Sequence, residues 1–300
     1  MGIYLSKPNV AKDSGSGDGR NLRFGVSAMQ GWRMNMEDAH ITNVSVNEEV
    51  SLFAVFDGHG GHEVAKFCGK YFTPELTKNE NFQKKNYKLA LEQTFLKMDE
   101  ILMGENALEL LKEFRNEPDS TTFAGCTANV VLITATDVYC ANAGDSRAYL
   151  HTKSGETKAL STDHKPDVET ERQRINNAGG YVSEGRVNDN LNLTRAIGDL
   201  EYKKNASLKP EQQIISAYPD VTVTPYDNTA DFLLVGCDGI WETLLAADIC
   251  KIMATKMAER KDTPSLAHIC EEMLDRLIAK DTQEGTGCDN MSLILIQFKE

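Results

Sequence analysis

Acidic residues follow or precede short apolar runs at several points along the 300-residue chain. Each of them stands beside Gly or another turn-forming residue, where a strand would end. Carboxylates that meet in a folded interior repel one another and lose hydration, so such a group is costly unless cations compensate it. Oxygen ligands without His or Cys prefer hard ions such as Mg²⁺ or Mn²⁺. The acids in these positions are Asp57, Asp145, Asp238 and Asp289.

The first candidate site is the segment Asp57-Gly58-His59-Gly60-Gly61. Its glycines let the backbone turn sharply, so that a main-chain carbonyl can point where a side chain otherwise would. Alone, the segment fits equally well a strand-to-helix turn in which Asp57 caps the next helix. A stabilising Ca²⁺ site is disfavoured because no D-x-D-x-D-G loop with a closing Glu occurs. Four acids at strand ends are harder to explain as turns and favour a metal site.

An arginine near two further acids adds a group that can bind phosphate. Arg33 shortly precedes Glu37 and Asp38. A planar guanidinium can donate two hydrogen bonds to phosphate oxygens. On its own, this segment is better explained as a surface salt bridge in an N-terminal strand or loop. Beside the strand-end acids, Arg33 indicates a site that acts on a phosphate group.

Strands must hold these acids, and helices must cover the strands. Runs rich in Val, Ile, Leu and Phe predict buried strands at 51–56, 138–143, 231–237 and 291–298. Apolar residues at helical spacing predict helices around 64–72, 87–101, 247–257 and 266–277. The runs 127–134 and 138–143 predict a hairpin, as do the runs around Tyr149 and Thr157. Because helices group before and after adjacent strands, we expect an α+β fold with antiparallel sheets.

A series of short segments occurs in order between Leu22 and Lys299. The segments are 27–33 (SAMQGWR), 36–39 (MEDA), 56–61 (FDGHGG), 124–128 (AGCTA), 142–147 (NAGDSR), 163–166 (DHKP), 194–199 (TRAIGD), 237–241 (CDGIW) and 289–292 (DNMS). Each piece alone is weakly specific, but the ordered set resembles the type 2C metal-dependent protein serine/threonine phosphatases. The position after Trp241 departs from the family, whose members often carry Asp where this chain has Glu242.

The resemblance implies a four-layer α-β-β-α sandwich, in which two mainly antiparallel sheets are flanked by helices. It also implies a site for two or more Mg²⁺ or Mn²⁺ ions at one edge of the sheets. Carried over by position, Asp57 bridges two ions. Glu37 and the backbone carbonyl of Gly58 serve one ion, while the other is served by Asp238 and Asp289. Two such ions activate a shared water for direct attack on phosphorus, without a phosphoenzyme.

The resemblance assigns roles to the remaining candidates as well. Asp38 orients the attacking water, and Asp145 joins Asp238 at a more weakly held third metal. His59 resembles the family's general acid, which protonates the departing Ser or Thr alkoxide; the alternative is a structural hydrogen bond. Arg33 holds the substrate phosphate. We therefore expect hydrolysis of phosphoserine and phosphothreonine in proteins. A pseudophosphatase scaffold, a metal nuclease and a small-molecule phosphatase are the alternatives.

Composition limits the partners. With Lys+Arg 32 against Asp+Glu 45, the net charge is -13, which disfavours nucleic acid. The 7 cysteines are scattered without a C-x-x-C pair, which favours reduced thiols in a cytoplasmic protein. We expect a monomer that acts on phosphorylated proteins, in the cytoplasm and partly at membranes or in the nucleus.

The N-terminus carries a separate signal. The first six residues fit the M-G-x-x-x-[ST] pattern for N-myristoylation at Gly2. One myristoyl chain gives only weak membrane association. The polar, Gly/Ser-rich composition of the following residues predicts a flexible segment over 1–21. Residues 22–300 are then expected to form a single catalytic domain.

Overall fold

The computed structural model describes residues 4–115, 124–259 and 265–299. The strands are β1 (Tyr4–Asp18), β2 (Leu22–Arg33), β3 (Ala39–Asn43), β4 (Ser51–Phe56), β5 (Gly58–His59), β6 (Gly125–Cys126), β7 (Ala128–Ile133), β8 (Asp137–Ala143), β9 (Arg147–Thr152), β10 (Thr157–Ala159), β11 (Val182–Ser183), β12 (Arg186–Val187), β13 (Ile197–Gly198), β14 (Asp220–Pro225), β15 (Ala230–Gly236) and β16 (Met291–Phe298). The α-helices are α1 (Glu63–Lys78), α2 (Glu80–Gln83), α3 (Tyr87–Met103), α4 (Ala107–Lys112), α5 (Glu169–Asn177), α6 (Asp238–Trp241), α7 (Ala246–Glu259) and α8 (Leu266–Leu277). The predicted strands and helices are thus confirmed.

Two large sheets dominate the architecture. The first has the order β1-β2-β16-β15-β9-β10, and the second has the order β14-β8-β7-β4-β3. Neighbouring strands in both sheets are antiparallel. The predicted hairpins are β7–β8 and β9–β10. The antiparallel α+β prediction is therefore confirmed.

Strand β4 shows why the sheets and helices form layers. Successive side chains of a strand point to opposite faces, and both faces of β4 are apolar. Phe53 packs against Phe24 of the first sheet, with ring centroids 5.6 Å apart. Phe56 on the opposite face packs against Phe72 of α1, with centroids 5.9 Å apart. One face of β4 therefore joins the two sheets, and the other buries the helices α1 and α3.

Helices α7 and α8 cover the outer face of the first sheet. Helix α8 lies against β2 at Gly25, where an added Cβ would stand 2.1 Å from the backbone nitrogen of Ala267. Such an approach requires a residue without a side chain. The layer order is helices, second sheet, first sheet, helices, which confirms the four-layer sandwich.

Antiparallel pairing brings the motif-bearing strand ends to one edge. Strand β15 ends at Gly236 beside the beginning of β16, because Gly236 pairs with Leu293. Strand β2 ends at the same edge, since Met29 pairs with Met291. In the second sheet, the backbone N–H of Thr127 donates to the carbonyl of Asp57 at 2.8 Å. The acids that follow or precede these strands are therefore neighbours in space.

A small module lies beside this edge, between the segment 162–165 and β14. It contains α5 and the hairpin β11–β12, packed around a minor core. Glu171 ties it to the main body through Arg195, whose Nη2 lies 2.7 Å from Glu171 Oε1 and whose Nη1 lies 2.8 Å from Asp220 Oδ1. These ion pairs fix the module against the sandwich.

The N-terminal segment differs from the prediction of a flexible 1–21. Tyr4–Asp18 form the edge strand β1, paired with β2 and irregular near Asn9 and Lys12. Its side chains are mostly exposed, so their polar composition says little about a strand held by backbone hydrogen bonds. Gly2, the predicted myristoylation site, lies outside the described residues. Over the described ranges, no helix has the length and apolar character needed to cross a membrane.

Candidate metal centre

The converging strand ends surround a cleft of ≈ 600 Å³. Eight of the nine predicted site residues line it: Arg33, Glu37, Asp57, Gly58, His59, Asp145, Asp238 and Asp289. The ninth, Asp38, is buried, with 7% of its surface exposed. A larger cavity of ≈ 750 Å³ lies at the opposite end of the sheets, near Val50 and Ile133. By volume alone, that cavity would be the candidate functional site. The acidic residues favour the smaller cleft instead.

Two groups of potential ligand atoms occur in the described chain, each with its atoms within 4.8 Å of one another. One comprises Asp38, Asp57 and the thiol of Cys237, and the other comprises Asp238, Glu242 and Asp289. Glu242 was not among the ligands predicted from the sequence. The spacing of four residues from Asp238 could have suggested one, because residues i and i+4 share a helix face.

Hydrogen bonds of the Asn290 side chain and a close approach at Gly58 bring the segments around residues 37, 57 and 290 together. The amide of Asn290 links two segments: its Oδ1 accepts from the N–H of Glu37 at 2.9 Å, and its Nδ2 donates to the carbonyl of Asn35 at 3.0 Å. Gly58 lies so close that an added Cβ would stand 2.4 Å from the Glu37 carbonyl oxygen. Glycine at this position lets the Glu37 and Asp57 segments meet, a close approach that was not predicted from the sequence.

The buried carboxylates strain one another electrostatically. Burial, followed by repulsion from Asp238 and Asp38, raises the pKa of Asp57 well above its usual value. Burial and the charge of Asp145 raise the pKa of Asp238 to about 8. Burial also raises the pKa of Asp38 to about 6. Without further cations, the cluster is therefore under strain whenever its members are ionised.

The donor set fits divalent ions of the hard class. The carboxylates supply several oxygens at the mouth of one cleft, which suits Mg²⁺ or Mn²⁺. Asp38 gives a second indication: its Oδ2 accepts from the hydroxyl of Ser292 at 2.7 Å, whereas its buried Oδ1 has no hydrogen-bond partner among the described residues. Buried polar atoms in proteins usually have a hydrogen-bond partner, which can be an ordered water or an ion. A bound ion or its water would supply one.

The raised pKa values predict how the metal-free protein responds to pH. Unfolded carboxyl groups titrate near pH 4, so between about pH 5 and 8 the folded state holds protons that the unfolded state has lost. Its stability therefore falls as pH rises through this window. We expect the chelated protein to lose about 2 kcal/mol of unfolding free energy between pH 5.5 and 8 in urea denaturation. Asp238→Asn should flatten the slope, and a metal-free protein equally stable at both pH values would contradict the prediction.

His59 has a partner that the sequence analysis did not assign. Its Nε2 lies 2.7 Å from Oδ2 of Asp199, a residue 140 positions away whose side chain is 2% exposed. Gly125 makes room for the pair, since an added Cβ would stand 2.4 Å from Asp199 Oδ2. Burial lowers the pKa of His59, but the charge and hydrogen bond of Asp199 outweigh it and raise the pKa above its usual value. The imidazolium form is thereby favoured.

Cations also meet the cluster. Arg33 Nη2 donates to Asp289 Oδ2 at 2.5 Å, while 47% of the Arg33 side chain remains exposed. Lys165 forms an ion pair with Asp145. Lys165 lies in the sequence motif 163–166, but no role was predicted for it, and only the folded chain shows the contact.

The carboxylate-lined cleft at the edge of two facing antiparallel sheets is a candidate divalent-metal site, of the kind that a metal-dependent enzyme requires. A family model described as "Protein phosphatase 2C" matches residues 22–286. "Probable protein phosphatase 2C 6" of Paramecium tetraurelia is 52% identical over 299 residues, which cover 100% of both proteins. "Probable protein phosphatase 2C 21" of Arabidopsis thaliana is 39% identical and is covered over 93% of its length, with 100% of this chain. A solved phosphatase from Toxoplasma gondii has a TM-score of 0.77 and 26% identity, covering 96% of each chain.

The chain therefore belongs to the protein phosphatase 2C family. Metal-dependent dephosphorylation of serine and threonine in proteins is the function of that family. The predicted family and enzyme class are thus confirmed, and the comparisons give the pseudophosphatase alternative no support.

Proposed function

We propose that the cleft holds two Mg²⁺ or Mn²⁺ ions and that the chain uses them to hydrolyse phosphoserine and phosphothreonine in proteins. Asp57 would be shared by both ions. Glu37 and the Gly58 carbonyl would complete one position, and Asp238 and Asp289 the other. When bound, the ions supply Lewis-acid chemistry: they acidify a water and offset charge on the phosphoryl oxygens. The buried, mutually repelling carboxylates at the cleft mouth are the observation that carries this proposal.

Asp38 and Arg33 would prepare the reactants. With its Oδ2 fixed by Ser292, Asp38 presents Oδ1 as an acceptor that can orient the attacking water. Arg33 keeps one guanidinium nitrogen on Asp289 while its side chain stays half exposed to the cleft. Its remaining N–H groups can donate to the substrate phosphate. The Asp289 carboxylate thus holds the Arg33 guanidinium in a position from which it can bind the dianionic substrate phosphate.

His59 would protonate the departing serine or threonine oxygen. Because Nε2 is engaged by Asp199 at 2.7 Å, Nδ1 is the ring nitrogen left to reach the leaving group. Asp199 favours the charged ring, which therefore carries a proton on Nδ1 that it can give up. The contact also fixes the plane of the imidazole.

A phosphopeptide library assayed with Mg²⁺, with Mn²⁺ and with chelator tests the function. We expect phosphate release from phosphoserine and phosphothreonine peptides with either ion, and loss of release by at least about 10³-fold in chelator. Calorimetry on the same samples should show the ions binding. Metal binding without hydrolysis of any peptide would support a scaffold instead, and full turnover in chelator would exclude the metal mechanism.

The cellular assignments stay predictions from the sequence. We propose a cytoplasmic phosphatase, with N-myristoylation at Gly2 giving weak membrane attachment. A monomer belongs to the same set of predictions, as does a single catalytic domain over residues 22–300, to whose first sheet β1 is added.

A further inference from the structure

A lysine outside the predicted ligand set reaches the acidic centre. The ammonium of Lys165 forms an ion pair with Asp145, whose side chain is 4% exposed, while that of Lys165 is 33% exposed. Asp238 lies near enough for its charge to act on the same ammonium. A partly buried pair is screened much less than a pair on the open surface. Lys165 therefore acts as a cation within the carboxylate cluster.

The backbone that carries Lys165 is held against the turn that carries Asp145. Arg147 donates two hydrogen bonds of 2.8 Å to Asp163. The N–H of His164 donates to the Gly144 carbonyl at 3.0 Å, and the N–H of Gly144 donates to Nδ1 of His164 at 3.1 Å. Four hydrogen bonds thus join residues 163–164 to residues 144–147. The ammonium is delivered to Asp145 by a fixed segment, whereas a surface lysine would move freely.

We propose that Lys165 is a built-in counter-cation of the metal centre, whose ammonium weakens the binding of a further divalent ion at Asp145. The inference rests on the two-ion centre proposed above. An ion that enters beside Asp145 must displace the ammonium or lie against it, and like charges at such separations repel strongly. Because Lys165 pairs directly with Asp145 and acts on Asp238 only through its charge, we expect it to weaken a third ion more than the two ions proposed above.

Counting bound Mn²⁺ in Lys165→Met tests the inference. Free Mn²⁺ is measured by electron paramagnetic resonance during titration of the full chain, with calorimetry for affinities. We expect the wild type and the variant to bind two ions alike, and the variant to bind one more at least about tenfold more tightly than the wild type, equivalent to about 1.4 kcal/mol. Combining Lys165→Met with Asp145→Asn should remove the gain. Lys158→Met, at an exposed residue of β10, makes the same change in net charge and should leave the count unchanged.

Equal third-ion affinity in the wild type and Lys165→Met would overturn the inference, as would an equal gain in Lys158→Met. A second measurement uses the unchanged protein. Acetylation of Lys165, followed by mass spectrometry, should be slow with two ions bound and should speed up as a third ion displaces the ammonium. A rate independent of Mn²⁺ concentration would contradict the displacement. Absence of any tight ion in the wild type would instead refute the two-ion centre itself.

Discussion

Asp57→Asn is expected to lower kcat for phosphoserine and phosphothreonine peptides by at least about 10³-fold, which corresponds to about 4 kcal/mol of transition-state free energy. Both ions are proposed to share the Asp57 carboxylate. Its loss should therefore weaken ion binding at both metal positions. An amide oxygen carries no charge and can serve one ion at most. Steady-state kinetics at saturating Mn²⁺ give the change in kcat, and calorimetry shows whether ion binding is lost with it.

The same substitution should not destabilise the metal-free protein. Burial and neighbouring acids raise the pKa of Asp57, so its ionised form opposes folding, and a neutral amide removes that repulsion. Urea denaturation in chelator should give Asp57→Asn an unfolding free energy at least equal to that of the wild type. Asp13→Asn, at an exposed position of β1, serves as the control and should keep full activity. An active Asp57→Asn enzyme, or inactivity caused by unfolding, would contradict the assigned role.

The strands that hold the proposed metal centre were predictable because contiguous residues determine their hydrophobic pattern. Ser51–Phe56 form an unbroken apolar run that ends in Asp and Gly, and the structure has β4 at those residues. A strand buried on both faces reads as a continuous hydrophobic run. The turn residues that follow the run mark where the buried strand ends and the predicted metal ligands begin. The acids Asp57, Asp238 and Asp289 could be selected for the same reason.

Contacts between distant segments were not predictable in this way. Strand β1 is held at a sheet edge by backbone pairing with β2, which the polar, Gly/Ser-rich composition of this segment does not indicate. Asp199 follows a strand of only two residues, too short to show periodicity, and its contact with His59 spans 140 positions. Lys165 reaches Asp145 only because residues 163–164 are bonded to the turn at 144–147. In each case the decisive interaction is tertiary.

The role of His59 can be separated from a structural one by the choice of leaving group. A serine or threonine alkoxide is a strong base and needs a proton as its bond to phosphorus breaks. An aryl oxide is far more stable and departs without one. Loss of a general acid should therefore slow peptide hydrolysis while sparing aryl phosphates, whereas damage to the metal centre should slow both.

His59→Gln is expected to lower kcat for phosphoserine peptides by at least about 10²-fold and to change kcat for p-nitrophenyl phosphate by less than about threefold. Asp199→Asn should reproduce this selectivity in weaker form, because it removes the negative charge that orients the ring through Nε2 and favours its protonated form. The double variant should be no slower than His59→Gln, because both substitutions disable the same proton transfer to the leaving group. His268→Gln, at a surface histidine that contacts Glu271, should leave both rates unchanged. Equal slowing of peptide and aryl substrates in His59→Gln would show that His59 has a structural role. Additive losses of kcat in the double variant would show that Asp199 acts independently of His59.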